Sequence, residues 1–84
     1  MTDKRITELE QILTKRLQPS YIHIVDDSHL HVGHVGAEEG KLHITIEISS
    51  GKLNDMKRIE QHRLIYEQMK SVEHHFHAVS IKII

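Results

Sequence analysis

The chain has no cysteine and no tryptophan, and only one proline, one phenylalanine and four glycines in 84 residues. Without cysteine it forms no disulfide, carries no thiol nucleophile and offers no thiolate to a metal. No apolar run approaches the roughly 20 residues that cross a bilayer. The opening "MTDKRITELE" lacks the apolar core of a secretory signal, so a cytoplasmic location without a membrane partner is expected. One phenylalanine and no tryptophan leave few platforms for stacking bases. Lys plus Arg is 11 against 12 for Asp plus Glu, a net charge of −1, which argues against a protein built mainly to grip phosphate backbones. The phosphate loops G-x-G-x-x-G and G-x-x-x-x-G-K-[ST] are missing, as is the nucleophile turn G-x-S-x-G.

What remains is a globular composition, 38% hydrophobic and 27% charged, sized for one domain spanning residues 1–84. A domain this small buries only about 60–65% of its unfolded surface, so every long apolar stripe is needed for the core. Charge is uneven. Residues 26–47 hold Asp26, Asp27, Glu38, Glu39 and Glu47 against one base, Lys41. Residues 51–70 hold Lys52, Lys57, Arg58, Arg63 and Lys70 against Asp55, Glu60 and Glu67. Nine histidines are several times the usual share, and their charge responds to small changes of environment near neutral pH.

Ile6, Leu9, Ile12, Leu13 and Leu17 recur at helical spacing, predicting a first helix over 3–17, capped by Thr2 and ended by Pro19. "YIHIVD" predicts a strand, and the polar, glycine-bearing residues 27–40 a loop. "KLHITIEI" alternates with period two: Leu42, Ile44, Ile46 and Ile48 face one way, His43, Thr45 and Glu47 the other. A turn over "SSGKLND", with Asn54 or Asp55 as cap, leads to a second helix ending near Lys70. Its expected stripe is Met56, Ile59, Arg63, Tyr66 and Met69, flanked by Leu64 and Ile65. "HAVSIKII" predicts a last strand with His77, Val79, Ile81 and Ile83 on one face. The order α-β-β-α-β predicts an α+β two-layer sandwich, with helices on one face of a three-stranded mixed sheet.

"DDSHLHVGHVG" holds His29, His31 and His34 as H-x-H-x-x-H. Alternate residues of an extended segment share a side, and imidazole suits zinc, copper and iron. The pattern matches no standard zinc spacing, and a solvated loop with turn hydrogen bonds from Asp26 and Ser28 explains it equally well. The bland readings of the others are a core-edge residue for His77, exposed loop for His74 and His75, cross-strand packing for His43 and His23, and helix packing for His62.

Taken in order, "DDSHLHVGH", "HITIEISS", "QHRLIYEQM" and "HAVSIKI" resemble the BolA family over nearly the whole chain. That resemblance implies an α-β-β-α-α-β fold of the class II KH type, adding a short helix near Leu53, Asn54 and Asp55. It also implies a monothiol glutaredoxin partner. The pair would share a [2Fe–2S] cluster bound by glutathione as well, with none expected in the isolated, monomeric chain. The family's C-terminal ligand histidine falls on His77. The variable loop ligand falls on His31 by the acid-acid-serine alignment, with His34 and His29 competing. The family's R-H-R reads Gln61, His62, Arg63 here, and its F-x-G reads Leu53, Asn54, Asp55.

Three functions follow. The first is a non-enzymatic adaptor for iron–sulfur trafficking or iron and redox regulation, docking through the His77 edge, the histidine loop and the basic surface of Lys52, Lys57, Arg58, His62 and Arg63. Imidazoles would complete a cluster whose thiolates come from elsewhere. The second is a KH-like, DNA-binding transcription regulator, although no G-x-x-G clamp is present. The third is a small metalloenzyme using the H-x-H-x-x-H loop, which would need metal in the isolated protein.

Overall fold

The computed structural model of the protein describes residues 3–27 and 41–84. Helix α1 covers Lys4–Leu17, strand β1 Tyr21–Asp26, strand β2 Leu42–Ser49, helix α2 Arg58–Gln68 and strand β3 Phe76–Ile83, which follows a 3₁₀ turn over Glu73–His75. The sheet order is β1-β2-β3, with β1 antiparallel and β3 parallel to the central β2. Both helices lie on one face. The expected two-layer α+β sandwich with a mixed sheet is the observed fold, and no described helix is long and apolar enough to cross a membrane.

Helix α1 starts where Asp3 takes the cap: its carboxylate accepts the backbone N–H of Arg5 at 2.9 Å. The expected cap, Thr2, lies outside the described residues. The Arg5 guanidinium also pairs with Asp3 at 2.8 Å. The hydrogen bonds from Arg5 hold the Asp3 carboxyl down at about 2. The helix buries Ile6, Leu9, Leu13 and Leu17. It closes at Gln18, whose backbone is left-handed (φ 46°) and whose N–H donates to the Thr14 carbonyl.

Strand β2 alternates as its sequence demands. Leu42, Ile44, Ile46 and Ile48 are buried against the helices, with Leu53, Ile65, Met69 and Val72 completing the core. Buried Ser50 ties the end of β2 to α1: its hydroxyl donates to the Leu17 carbonyl at 2.6 Å and accepts the Lys52 N–H.

Three local expectations are corrected. Neither Asn54 nor Asp55 caps α2. Successive i to i+3 backbone bonds (Leu53 to Ser50, Asn54 to Gly51, Met56 to Leu53) consume that stretch. Lys57 is left at the N-cap without a side-chain bond, and reverse turns stand where the family's short helix was expected. The inner face of α2 is Gln61, Ile65 and Met69, extended by Val72, not the line through Ile59 and Tyr66, which are 66% and 42% exposed. Gln61 secures that rotation by donating to the Leu53 carbonyl at 2.8 Å.

The third correction is His77. Leu42 lies opposite Phe76, but the next residue, His43, lies opposite Ala78. One extra residue therefore sits in β3, a bulge of a kind rare in parallel pairs. Phe76 is buried, and Val79, Ile81 and Ile83 pack on the core, so both His77 and Ala78 turn outward. The large apolar ring outcompetes the imidazole for the inner face. His77 therefore does not share a face with Val79.

Candidate functional site

The bulge delivers His77 to the open face of the sheet, beside His43 of the central strand. The two imidazole centroids are 4.9 Å apart, with planes inclined at 50°. His77 is exposed; His43 is half-buried, with its Nε2 out of solvent. The end of β1 is fastened alongside: the Asp27 N–H donates to the His43 carbonyl at 2.7 Å, and the Thr45 hydroxyl donates to the Asp27 carboxylate. Asp27 and Lys41, the described residues that flank 28–40, thus both stand at the His43 end of the sheet. His29, His31 and His34 lie outside the described residues, so His77 is the one expected ligand with a described position. Among the described residues, no three His, Cys, Asp or Glu side chains are grouped to hold a metal ion.

On its other side His77 borders an open groove of about 490 Å³ between α2 and β3, lined with Tyr66, Met69, Glu73, His74 and Phe76. The Tyr66 hydroxyl donates to the Val79 carbonyl at 3.1 Å, fixing the strand just beyond the bulge. His74 and His75, expected as loop residues, form the 3₁₀ turn with ring centroids 4.0 Å apart. His75 meets Phe76 edge-on. His23 faces Glu47 across the sheet at 3.3 Å, an ion pair whenever the imidazole is protonated.

The basic surface divides. Lys52 donates to the Arg16 carbonyl at 3.0 Å, which ties it to the end of α1. Lys57 at the N-cap of α2, and Arg58 and Arg63 on the helix, are exposed. Arg58 and His62 line a second groove against β3, of about 450 Å³, with Gln61, Ile81, Lys82 and Ile83. Lys82 adds a cation to this surface that is absent from the set expected from sequence. It entered the sequence as one polar position of an alternating strand, with nothing to mark the helix opposite.

The arrangement can do two things. It places two imidazole rings, both possible metal ligands, side by side on the open face of the sheet, and it offers cations beside an edge strand. The chain has no thiol to add to it.

Comparison with known proteins agrees with the fold and the motif order. The family model described as BolA-like protein matches residues 13–84. A BolA-like protein of Dictyostelium discoideum is 36% identical over 76 residues, 88% of this chain; the chain spans 64% of that relative's length. The DNA-binding transcriptional regulator BolA of Haemophilus influenzae is 28% identical over 76 residues, covering 89% of this chain and 71% of its own. Among solved structures, the BolA domain of SufE1 from Arabidopsis thaliana superposes with a TM-score of 0.84 at 26% identity, covering 99% of this chain and 93% of that one. A chain with these motifs, this sheet order and a family match across most of its length belongs to the BolA family.

Proposed function

We propose that the protein is a non-enzymatic adaptor that docks on a monothiol glutaredoxin and contributes imidazole ligands to a glutathione-dependent [2Fe–2S] cluster, for cluster trafficking or iron regulation in a reducing, cytosol-like compartment. The observation that carries this reading is the outward-turned His77 on the sheet end where the histidine segment starts and finishes. The donor chemistry fits the cluster. A [2Fe–2S] centre normally takes four thiolates; a chain with nine histidines and no cysteine brings imidazole nitrogen to it, leaving the thiolates to glutaredoxin and glutathione. His77 is one donor; His31, with His34 and His29, belongs to the segment that supplies the other. Neutral imidazoles make the cluster less negative than thiolates do, and they ligate only when deprotonated.

The supporting surface has a division of labour. Arg58, Lys57 and Arg63 are exposed, which suits steering an acidic partner toward the His77 edge. Tyr66 holds the strand that carries His77.

Reconstitution tests the reading. Mixing the chain with a monothiol glutaredoxin, glutathione, iron and sulfide is expected to give a heterodimer whose visible spectrum differs from that of the glutaredoxin alone. His77→Ala is expected to change or bleach it. An identical spectrum with and without His77 overturns the assignment.

A nucleic-acid role is the second reading, favoured by the exposed cations flanking the Arg58–Lys82 groove and by the DNA-binding description of the Haemophilus influenzae relative. A gel-shift titration separates it from the first. A steep loss of DNA affinity with salt, blunted in Arg58→Ala, is its signature.

A further inference from the structure

We infer that the rim of β3 beyond Val79, with the first turns of α2 beside it, is a docking groove for an extended acidic segment of a partner protein, which adds there as a short fourth strand. The groove lies toward the far end of β3 from His77: Lys82 is five residues on, about 16 Å along an extended strand. The inference does not depend on the adaptor reading.

The backbone is the first support. Ile84 donates its N–H inward, to the Ile48 carbonyl at 2.9 Å, whereas Val79 turns its carbonyl outward to the Tyr66 hydroxyl. Backbone direction alternates along a strand paired on one side, so Ile81 and Ile83 turn their amides and carbonyls outward as well. These groups face the groove of about 450 Å³ against α2. Such a rim is the template on which extended peptides add to a sheet. Tyr66 stops the addition at Val79, so the added strand is short and needs side-chain contacts to hold it.

The second support is the exposed apolar line of α2. Ile59, His62 and Tyr66 are spaced i, i+3 and i+7 and follow one side of the helix. Tyr66 reaches Val79, and His62 lines the groove. The line therefore runs along the helix wall of the groove, with exposed Ile59 at its open end. A segment on the rim covers Ile59 together with the half-buried Ile81 and Ile83.

Charge names the occupant. Alternate side chains of an added strand fall toward α2 and toward the open face of the sheet. Arg58 stands on the helix side, and Lys82 follows the open-face register opposite Glu47. Carboxylates of either phase thus meet a cation, while a basic segment meets repulsion. Among the described residues the groove is lined by no phenylalanine, tyrosine or tryptophan on which a base could stack, which favours a peptide over a nucleic acid.

The test uses a fluorescein-labelled short peptide alternating glutamate and valine, read by anisotropy, with ¹⁵N shift mapping on the full chain. Saturable binding that moves the amides of Ile81 and Ile83 is expected. Arg58→Glu and Lys82→Glu should each weaken it about tenfold, with amide spectra otherwise unchanged. Two further peptides test the wild-type protein without any variant. One carries lysine in place of glutamate. The other is methylated at every backbone nitrogen, which keeps the charge and abolishes strand pairing. Neither is expected to bind. No binding of the glutamate–valine peptide, or equal binding of either control, overturns the inference. So does a single-stranded DNA that moves the same amides at lower concentration, which assigns the groove to nucleic acid. Glutaredoxin, glutathione and iron are absent from these mixtures, so failure here leaves the adaptor reading standing.

Discussion

Phe76 is the residue on which the position of His77 depends, and truncating it should disturb core and site together. The ring is 7% exposed and packs in the main cluster, opposite Leu42. Deleting a buried phenylalanine side chain costs about 3–5 kcal/mol; at the end of an edge strand, where the site can partly collapse, about 3 is expected. An 84-residue domain has a total stability of only about 4–12 kcal/mol. Phe76→Ala therefore removes between a quarter and most of it. It also removes the reason for the bulge. With alanine at 76, the strand gains by straightening, which carries His77 away from His43. Urea unfolding measures the first effect, with an unchanged m-value identifying it as a stability loss. Ring-proton NMR shifts of His43 and His77 measure the second, since each imidazole lies in the ring-current field of the other. His77→Ala is the control: exposed, it should alter stability by less than about 0.5 kcal/mol. A Phe76→Ala protein that loses under about 1 kcal/mol and keeps both sets of ring shifts refutes burial of Phe76 as the cause of the bulge.

Two further outcomes are expected. Ile65→Ala should cost about 2–4 kcal/mol in denaturant unfolding while Ile59→Ala costs under about 0.5, because the first is fully buried and the second 66% exposed; comparable losses would return α2 to the rotation its sequence suggests. Asp3→Ala should cost about 1 kcal/mol near neutral pH by removing the α1 cap. Because the folded carboxyl is lowered to about 2 by its bonds from Arg5, that contribution is present above the unfolded carboxyl range and fades as pH falls from about 4 toward 2. Wild-type and variant stability curves should therefore converge in acid, and a gap that stays constant down to pH 2 would contradict the assignment.

Helix α1 and strand β2 were legible in the sequence because a single strong period governs each. Ile6, Leu9, Leu13 and Leu17 repeat over about three turns, and Leu42 to Ile48 alternates without exception. Helix α2 carries two overlapping apolar lines, through Ile59 and Tyr66 and through Ile65 and Met69. Spacing alone does not choose between them; the Gln61 bond to Leu53 and the sheet beneath do. Alternation assumes an unbroken ladder and so puts His77 on the inner face, whereas its neighbour Phe76 takes that place. His77 entered as a candidate through the family resemblance, not through its own surroundings. His43 was read as an outward residue packed across strands, which it is. That its neighbour is His77 was beyond reach, since the contact joins distant segments and depends on the bulge. Lys82 joins the basic groove for a similar reason: tertiary packing, not sequence proximity, sets it near Arg58 and His62.

The phenol of Tyr66 has a consequence for self-association. β3 is the rim of a three-stranded sheet, where outward amides and carbonyls invite a foreign strand to add on. With the Val79 oxygen already occupied by that hydroxyl, a second molecule attempting to extend the sheet must first evict an aromatic side chain anchored on α2. The rim is guarded at its midpoint, which favours encounters made through side-chain chemistry over fibre-like growth.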